Sequence, residues 1–234
     1  MRELDLASLV SVRRFADRLG ADAGPVDVLL NNAAVMAVDR SRTQDGFEMH
    51  FGVNHLGHFA LAGLLLPVLA RSPGARVVNV SSIIHRLGRL DLDDPMYAER
   101  RYSRWGAYCQ SKLANLLFTA ELDRRLSGAG SGVTALSSHP GMARTELGKQ
   151  GSSTTNWVMR NLTPAVVRSP DAGAASVVRA CVDPGARGGD CYGPRWLAGG
   201  SPILETPSWR ARRPDDARRL WELSERLTGV SYSL

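Results

Sequence analysis

Cysteine is scarce in this sequence, and the few positions it occupies exclude two kinds of small protein. The chain of 234 residues has three cysteines, Cys109, Cys181 and Cys191. An odd number without paired metal-ligand spacing indicates neither a disulfide framework nor a zinc motif. The longest apolar run, 59–70, contains Gly63 and Pro67 and is shorter than the ~20 residues that cross a bilayer. The first residues are also too few and too acidic for a secretory signal. These absences predict a cytoplasmic protein without a membrane span.

Charge and hydrophobicity are ordinary, apart from an excess of arginine. Hydrophobic residues make up 44% and charged residues 22% of the sequence, as is typical of a globular domain. The net charge of +6 and the arginine-rich segment 210–219 would suit nucleic acid or an anionic membrane. Because the arginines accompany no recognition motif, we interpret them as solvated surface that also favours a phosphate-bearing cofactor. We expect one domain, 1–234, that binds no nucleic acid.

Apolar residues follow helical and extended patterns in turn along the chain. Helical spacing predicts helices over 7–19, 47–70, 107–126, 170–182 and 215–227. Short apolar runs predict buried strands over 26–30, 76–82, 132–138 and 188–199. Strands and helices in alternation are typical of the α/β class, here a Rossmann-like doubly wound parallel sheet in a single domain.

Three predicted strands end in small or polar residues that suit a ligand site. Residues 31–34, Asn-Asn-Ala-Ala, follow the first strand, Ser81 and Ser82 end the second, and 139–141, His-Pro-Gly, end the third. Ligands of open α/β sheets bind beyond the carboxyl ends of the strands. The segment 151–170, rich in Ser, Thr, Asn and Pro, suits either a mobile flap over this edge or a plain surface loop.

Tyr108 and Lys112 are the strongest candidates for chemistry. They lie four positions apart in a predicted helix, so their side chains project from the same face of adjacent turns. A tyrosine with a pKa of about 10 is a poor base at neutral pH, and a nearby ammonium group lowers that pKa. Such a tyrosine can exchange a proton with an alcohol oxygen. The spacing alone is a common accident of helices, so other segments must agree with it.

Other segments do agree, and they follow in a fixed order: 31–34, Asn54, Ser82, the Tyr108 and Lys112 pair, and Pro140-Gly141 with Thr145. This ordered set resembles the short-chain dehydrogenase/reductase family over nearly the whole chain. The stretch 110–118, Gln-Ser-Lys-Leu-Ala-Asn-Leu-Leu-Phe, and the long spacing from Ser82 to Tyr108 are most similar to its retinol-dehydrogenase-like branch.

The resemblance implies an enzyme that interconverts a lipophilic alcohol and its aldehyde or ketone by hydride transfer, with NADP or NAD as cofactor. It implies Tyr108 as the acid/base and Lys112 as the group that lowers the tyrosine pKa and binds the nicotinamide ribose. Ser82 would orient the substrate oxygen, and Asn54 would support a water-mediated proton relay through Lys112. The family pattern favours Ser82 over Ser81, which should point to the opposite face of the strand.

The resemblance also implies a set of cofactor contacts, namely Asp5, Leu6, Asn32, Ala33, Tyr108, Lys112, Pro140, Gly141 and Thr145. From the residues alone, Asp5 is a helix cap and 139–141 is a turn that ends a strand. A lipophilic substrate is favoured because several apolar residues could form a pocket wall: Met142, Trp157, Val158, Met159, Trp196 and Leu197.

One part of the family pattern is absent. The family has a strand, a glycine-rich turn and a second strand before the position of Leu4, where this sequence has three residues, and no G-x-x-x-G-x-G occurs in it. Those glycines let backbone N–H groups approach a pyrophosphate. We therefore expect a sheet truncated at its N-terminal edge, an unpaired strand at 26–30, weakened cofactor binding and poor folding of the chain alone.

Three interpretations follow from this mixed pattern. The first is an active oxidoreductase whose given start is too late. The second is a genuine short form that is not catalytic and acts as an interaction protein. The third, a nucleic-acid or membrane-surface protein, rests only on the basic charge.

The sequence says less about metal binding and about the oligomeric state. The five histidines, His50, His55, His58, His85 and His139, have no carboxylate or thiol at a matching offset, so we expect no metal site. Many family members form homo-oligomers through the helices that carry Asn54 and Tyr108. The helix faces here do not separate oligomer contacts from core, so the sequence leaves homo-oligomer formation open.

Overall fold

A five-stranded, mainly parallel sheet lies at the centre of the structure. The computed structural model describes residues 3–22, 24–141, 170–196 and 199–234. The strands are β1 Val28–Asn31, β2 Arg76–Val80, β3 Thr134–Ser138, β4 Cys191–Trp196 and β5 Gly199–Leu204. They lie in the order β1-β2-β3-β4-β5, with parallel pairing up to β4 and an antiparallel β5. The predicted α/β parallel sheet is confirmed, and β5 is an addition that the sequence did not predict.

Helices cover both faces of this sheet. They are α1 Leu9–Asp22, α2 Met49–Phe51, α3 Gly57–Leu69, α4 Arg104–Gly128, α5 Pro170–Val182 and α6 Pro214–Thr228. A π-helical turn, Gly52–Leu56, joins α2 to α3, so the helix predicted over 47–70 is one run with a wider turn inside it. Two 3₁₀ turns, Ile83–Leu87 and Trp209–Arg212, follow β2 and precede α6.

The two layers of helices explain why consecutive positions in the central strands are apolar. Val77 of β2 and Ala135 of β3 belong to the core cluster shared with α1, α3 and α4. Their neighbours Val78 and Leu136 instead share a cluster with Ala180 of α5. Successive side chains of a strand point to opposite faces, so a strand covered on both faces needs apolar residues at consecutive positions.

The C-terminal segment packs onto α3 and α4 through aromatic rings. The ring of Trp221, in α6, lies 5.1 Å from that of Phe59 and 6.0 Å from that of Phe118. The Tyr232 hydroxyl donates to the carbonyl of Phe59 at 2.7 Å. Gly63 allows this approach, because a Cβ at that position would lie 2.7 Å from Cε2 of Tyr232. The C-terminal segment thereby fixes α3, which directly follows the π turn that contains Asn54.

β1 is an edge strand, as predicted. It lies at one end of the sheet order, and within the described ranges no strand pairs with its other side. Leu30 in this strand is 41% exposed. An exposed strand edge presents unpaired N–H and C=O groups that can pair with another chain.

The run from Met49 to Leu69 has the length and composition of a membrane-spanning helix, which the sequence-based prediction did not include. Within its 21 residues, a window of 18 residues has a mean hydropathy of 1.4, and 89% of that window is buried inside the fold. Buried core helices often satisfy the same test, and here the run packs between α1, α4 and α6.

Candidate active site

Tyr108 and Lys112 lie on successive turns near the start of α4, directed at the carboxyl end of β2. The helix begins after Ser103, whose side chain accepts a hydrogen bond from the amide of Gly106 at 3.1 Å. Tyr108 is 4% exposed and Lys112 is 2% exposed. The Lys112 Nζ lies 5.8 Å from the centroid of the Tyr108 ring and donates to the carbonyl of Val80 at 3.0 Å. The packing of α4 on β2 thus brings a phenol and an ammonium group to the end of the strand.

The two serines after β2 have different partners. The Ser82 side chain is hydrogen-bonded to that of Tyr108. The Ser81 hydroxyl is buried and donates to the backbone carbonyl of Lys112 at 2.7 Å. Ser82 therefore lies beside the tyrosine hydroxyl, while Ser81 ties the strand end to α4.

Asn54 lies in the π turn and links two segments of the site. Its Nδ2 donates to the Ser111 hydroxyl at 2.9 Å and to the carbonyl of Val35 at 3.0 Å, and its Oδ1 accepts from the Val35 amide at 2.8 Å. Ser111 in turn donates to the carbonyl of Tyr108 at 2.8 Å. The wider π turn is a departure from helical geometry that is often found at functional sites. Through it, Asn54 fixes α4 against the segment that follows β1.

The electrostatics of the pair differ from the prediction. Burial raises the pKa of Tyr108 to about 12, and the hydrogen bond with Ser82 only partly opposes this. Burial also lowers the pKa of Lys112 to about 8. The predicted lowering of the tyrosine pKa by Lys112 is therefore wrong for this structure, because loss of hydration dominates over the distant ammonium group. Tyr108 is protonated at neutral pH here.

The predicted adenosine-binding residues lie in the segment before α1 and in the segment after β1. Asp5 is exposed, and its Oδ1 accepts from the Ala7 amide at 2.8 Å in the turn that precedes α1. The Leu6 carbonyl lies against Gly57, where a Cβ would come within 2.7 Å of its oxygen. Asn32 and Ala33 are exposed after β1.

The remaining predicted residues lie at the ends of β3 and β4 or outside the described ranges. Pro140 and Gly141 are partly exposed after β3. Trp196 is 68% exposed on β4. The other predicted positions lie outside the described residues: Thr145, the pocket-wall residues Met142, Trp157, Val158, Met159 and Leu197, and the predicted flap except Pro170.

A buried polar cluster beside Tyr108 has no counterpart in the predictions. The Glu48 carboxylate lies 2.7 Å from Nδ1 of His50 and accepts from the Tyr102 hydroxyl at 3.1 Å. The His50 ring lies 6.1 Å from that of Tyr108. No sequence spacing connects Glu48 with Tyr102, so only the folded chain brings them together. Among the described residues, no three His, Cys, Asp or Glu side chains are grouped as metal ligands.

Comparison with known proteins gives the family. The family model described as short chain dehydrogenase matches residues 1–156. Retinol dehydrogenase 13 of Homo sapiens is 44% identical over 234 residues, which cover 98% of this chain and 68% of that protein. A crystal structure of an uncharacterised protein from Mycobacterium paratuberculosis superposes with a TM-score of 0.82 at 45% identity, over 100% of this chain and 76% of the other.

A third similarity concerns the fold alone. A short chain dehydrogenase from Burkholderia cenocepacia in complex with NADP has a TM-score of 0.60 at 22% identity, over 85% of this chain and 74% of its own.

The chain therefore belongs to the short-chain dehydrogenase/reductase family, and within it is retinol-dehydrogenase-like. It is accordingly an oxidoreductase that acts on CH–OH groups of a small-molecule substrate with a nicotinamide cofactor. The resemblance noted from the sequence is confirmed.

The side chains in the site fit the nicotinamide ribose end of such a cofactor. The Lys112 ammonium has three N–H donors, and one of them donates to the Val80 carbonyl. The other two have no partner among the described residues, which matches the two hydroxyl groups of a ribose. No glycine-rich turn that would hold a pyrophosphate occurs within the described ranges.

Proposed function

We propose that this chain interconverts a lipophilic alcohol and its aldehyde or ketone, with Tyr108 as the acid/base and NADP(H) as the cofactor. The proposal rests on one observation: the buried side chains of Tyr108 and Lys112 lie beside Ser82 at the carboxyl end of β2. Asn54 holds the helix that presents them. A hydrogen-bonded phenol and serine beside a cation can bind and protonate a carbonyl oxygen.

The protonation states favour carbonyl reduction at neutral pH. When bound, the nicotinamide supplies or accepts the hydride. In reduction, the Tyr108 hydroxyl donates its proton to the carbonyl oxygen, and Ser82 holds that oxygen by a hydrogen bond. Tyr108, with a pKa of about 12, starts in the acid form that this step needs. Lys112, with a pKa of about 8, is mostly cationic at neutral pH and can donate to the hydroxyl groups of the nicotinamide ribose.

The comparisons support the choice of substrate and cofactor. The relatives named retinol dehydrogenase suggest a long apolar alcohol such as retinol. The structural neighbour from Burkholderia cenocepacia carries NADP, and the net charge of +6 favours the extra phosphate of that cofactor. A cytoplasmic location and the assignment of 1–234 to one domain stay predictions.

The test is reduction of all-trans-retinal by the purified chain, with NADPH and NADH compared. Tyr108→Phe should abolish turnover while NADPH binding persists, because it removes only the hydroxyl that donates the proton. Tyr192→Phe is the matched control, since Tyr192 is also buried and loses only a 3.3 Å bond to Asp183. Unchanged turnover by Tyr108→Phe would refute the proposed acid/base.

A non-catalytic interaction protein is the second candidate. The open edge of β1, with Leu30 exposed, favours it because such an edge can add a strand from a partner. A folded chain that binds neither NADPH nor NADH would support this candidate over the enzyme.

A further inference from the structure

His85 is a buried histidine that touches the backbone of the serine beside Tyr108. Its Nδ1 lies 2.8 Å from the carbonyl of Ser82, and its Nε2 accepts from the amide of Ser208 at 3.2 Å. A carbonyl only accepts and an amide N–H only donates, so the ring carries its proton on Nδ1 and is neutral. Burial lowers the pKa of His85, which also favours the neutral ring. His85 thus joins the end of β2 to the segment after β5.

His139 makes the corresponding connection at the end of β3, with the opposite tautomer. Its Nδ1 accepts from the amide of Gly141 at 3.1 Å, and its Nε2 lies 2.8 Å from Oε2 of Glu205. Glu205 also pairs with Arg86 at 2.5 Å. The hydrogen bond from His139 contributes most to lowering the pKa of Glu205 to about 2, so the carboxylate is ionised and accepts the Nε2–H. His139 thereby holds the Pro140-Gly141 turn.

Gly193 on β4 makes room for this arrangement. A Cβ there would lie 2.4 Å from Oε2 of Glu205 and 2.6 Å from Nε2 of His139. The backbone of Gly193 is not in the left-handed region, so its conformation does not require glycine. Glycine is needed at position 193 because a larger side chain would prevent the contact between Glu205 and His139.

We propose that residues 205–208, named here the clamp segment, position the two active-site turns through His85 and His139. Glu205 fixes His139 and hence Gly141, and the Ser208 amide fixes His85 and hence Ser82. The inference rests on the proposed function, in which Ser82 orients the substrate oxygen and the Pro140-Gly141 turn lies beside the nicotinamide. The histidines are positioning residues, since each acts through the backbone of another residue.

The two connections predict different kinetic effects. Gly193→Ala would push Glu205 and His139 apart, so the KM for NADPH should rise about tenfold, the equivalent of one hydrogen bond. His85→Phe keeps an aromatic ring but loses the hydrogen bonds to Ser82 and Ser208. The kcat for retinal should therefore fall about tenfold, with little change in the KM for NADPH. Gly132→Ala is the matched control, because a Cβ there meets no atom within 4 Å.

Glu205→Gln serves as a second variant that adds no steric clash. The amide can still accept from His139 but no longer pairs with Arg86 as an ion, so the KM for NADPH should rise by a smaller factor than in Gly193→Ala. Circular dichroism melts would establish that each variant is folded. Wild-type kinetics in folded Gly193→Ala and Glu205→Gln would overturn the positioning role.

Nuclear magnetic resonance of ¹⁵N-labelled protein tests the clamp without turnover. We expect His85 protonated on Nδ1, His139 protonated on Nε2, and slow exchange of the Gly141 and Ser208 amides. In Gly193→Ala the Gly141 amide should exchange about tenfold faster, while Gly132→Ala leaves it unchanged. The reverse tautomer of His139, or fast exchange of Gly141 in the wild type, would overturn the inference. If the wild type reduces no substrate, the proposed function fails, and these measurements still decide whether the clamp segment holds the turns.

Discussion

Replacement of Lys112 by methionine should make the protein more stable while it ends catalysis. Burial lowers the pKa of Lys112 from 10.5 to about 8 in the folded chain. Because the folded pKa lies below the unfolded one, the unfolded state binds the proton more tightly, and the charged form is destabilising near pH 7. The shift corresponds to about 3 kcal/mol, at about 1.4 kcal/mol for each pH unit.

The hydrogen bond lost with the ammonium group offsets only part of this gain. Lys112 donates to the carbonyl of Val80 at 3.0 Å, and Asn115 donates to the same oxygen at 3.1 Å. In the variant the Val80 carbonyl still accepts from Asn115, so the lost hydrogen bond should lower the free energy of unfolding by only about 1 kcal/mol. Methionine is unbranched and adapts to the space of the lysine stem. Lys112→Met should be more stable than the wild type by about 2 kcal/mol.

Urea unfolding at two pH values measures this difference and its cause. The stability of the wild type gains a contribution from Lys112 as the pH rises from 8 towards 10.5, where only the unfolded state keeps the proton. The gap between Lys112→Met and the wild type should therefore narrow by about 1 kcal/mol between about pH 7 and pH 9. Leu113→Met controls for methionine in a buried position of the same helix and should show no such change with pH. A variant less stable than the wild type, or a gap independent of pH, would refute the reasoning.

Two further predictions concern the helix that carries Asn54. His55 and His58 are buried, with pKa values lowered by burial to about 3 and about 4 from 6.5, so protons bind preferentially to the unfolded chain below pH 6.5. Urea unfolding should show a loss of about 4 kcal/mol between about pH 7 and pH 5, and His55→Gln should remove about half of that dependence. Gly63→Ala should lower stability by about 1–3 kcal/mol, measured by urea unfolding, because the new Cβ meets Tyr232; an unchanged midpoint would contradict that contact.

The fold could largely be predicted because its strands and helices differ in apolar pattern. Strand β2 is buried on both faces and therefore has apolar residues at consecutive positions, Val77 and Val78. Strand β5 was not predicted because Gly199–Leu204 contains two glycines and a proline. These residues are uncommon in strands except at sheet edges. The π turn also could not be predicted, since Gly52–Leu56 has the composition of an ordinary helix.

The site was predictable where chemistry follows from spacing. Tyr108 and Lys112 meet because four residues make about one helical turn. The contact of His139 with Glu205 joins residues 66 positions apart, and no local pattern indicates it. The pKa of Tyr108 was predicted in the wrong direction because the extent of burial is a property of the folded chain.

The π turn sets the rotational phase between two halves of one long helix. A π turn is an α-helix with one residue inserted, and each residue of an α-helix turns the chain by about 100°. Deletion of a single codon within Gly52–Leu56 would allow an uninterrupted helix, and with α3 fixed by the core the residues before it would rotate by that angle. Glu48 and His50 would then turn away from Tyr102 and Tyr108, although helix length and hydrophobicity would hardly change. Insertions and deletions in this stretch should therefore be selected against more strongly than most substitutions.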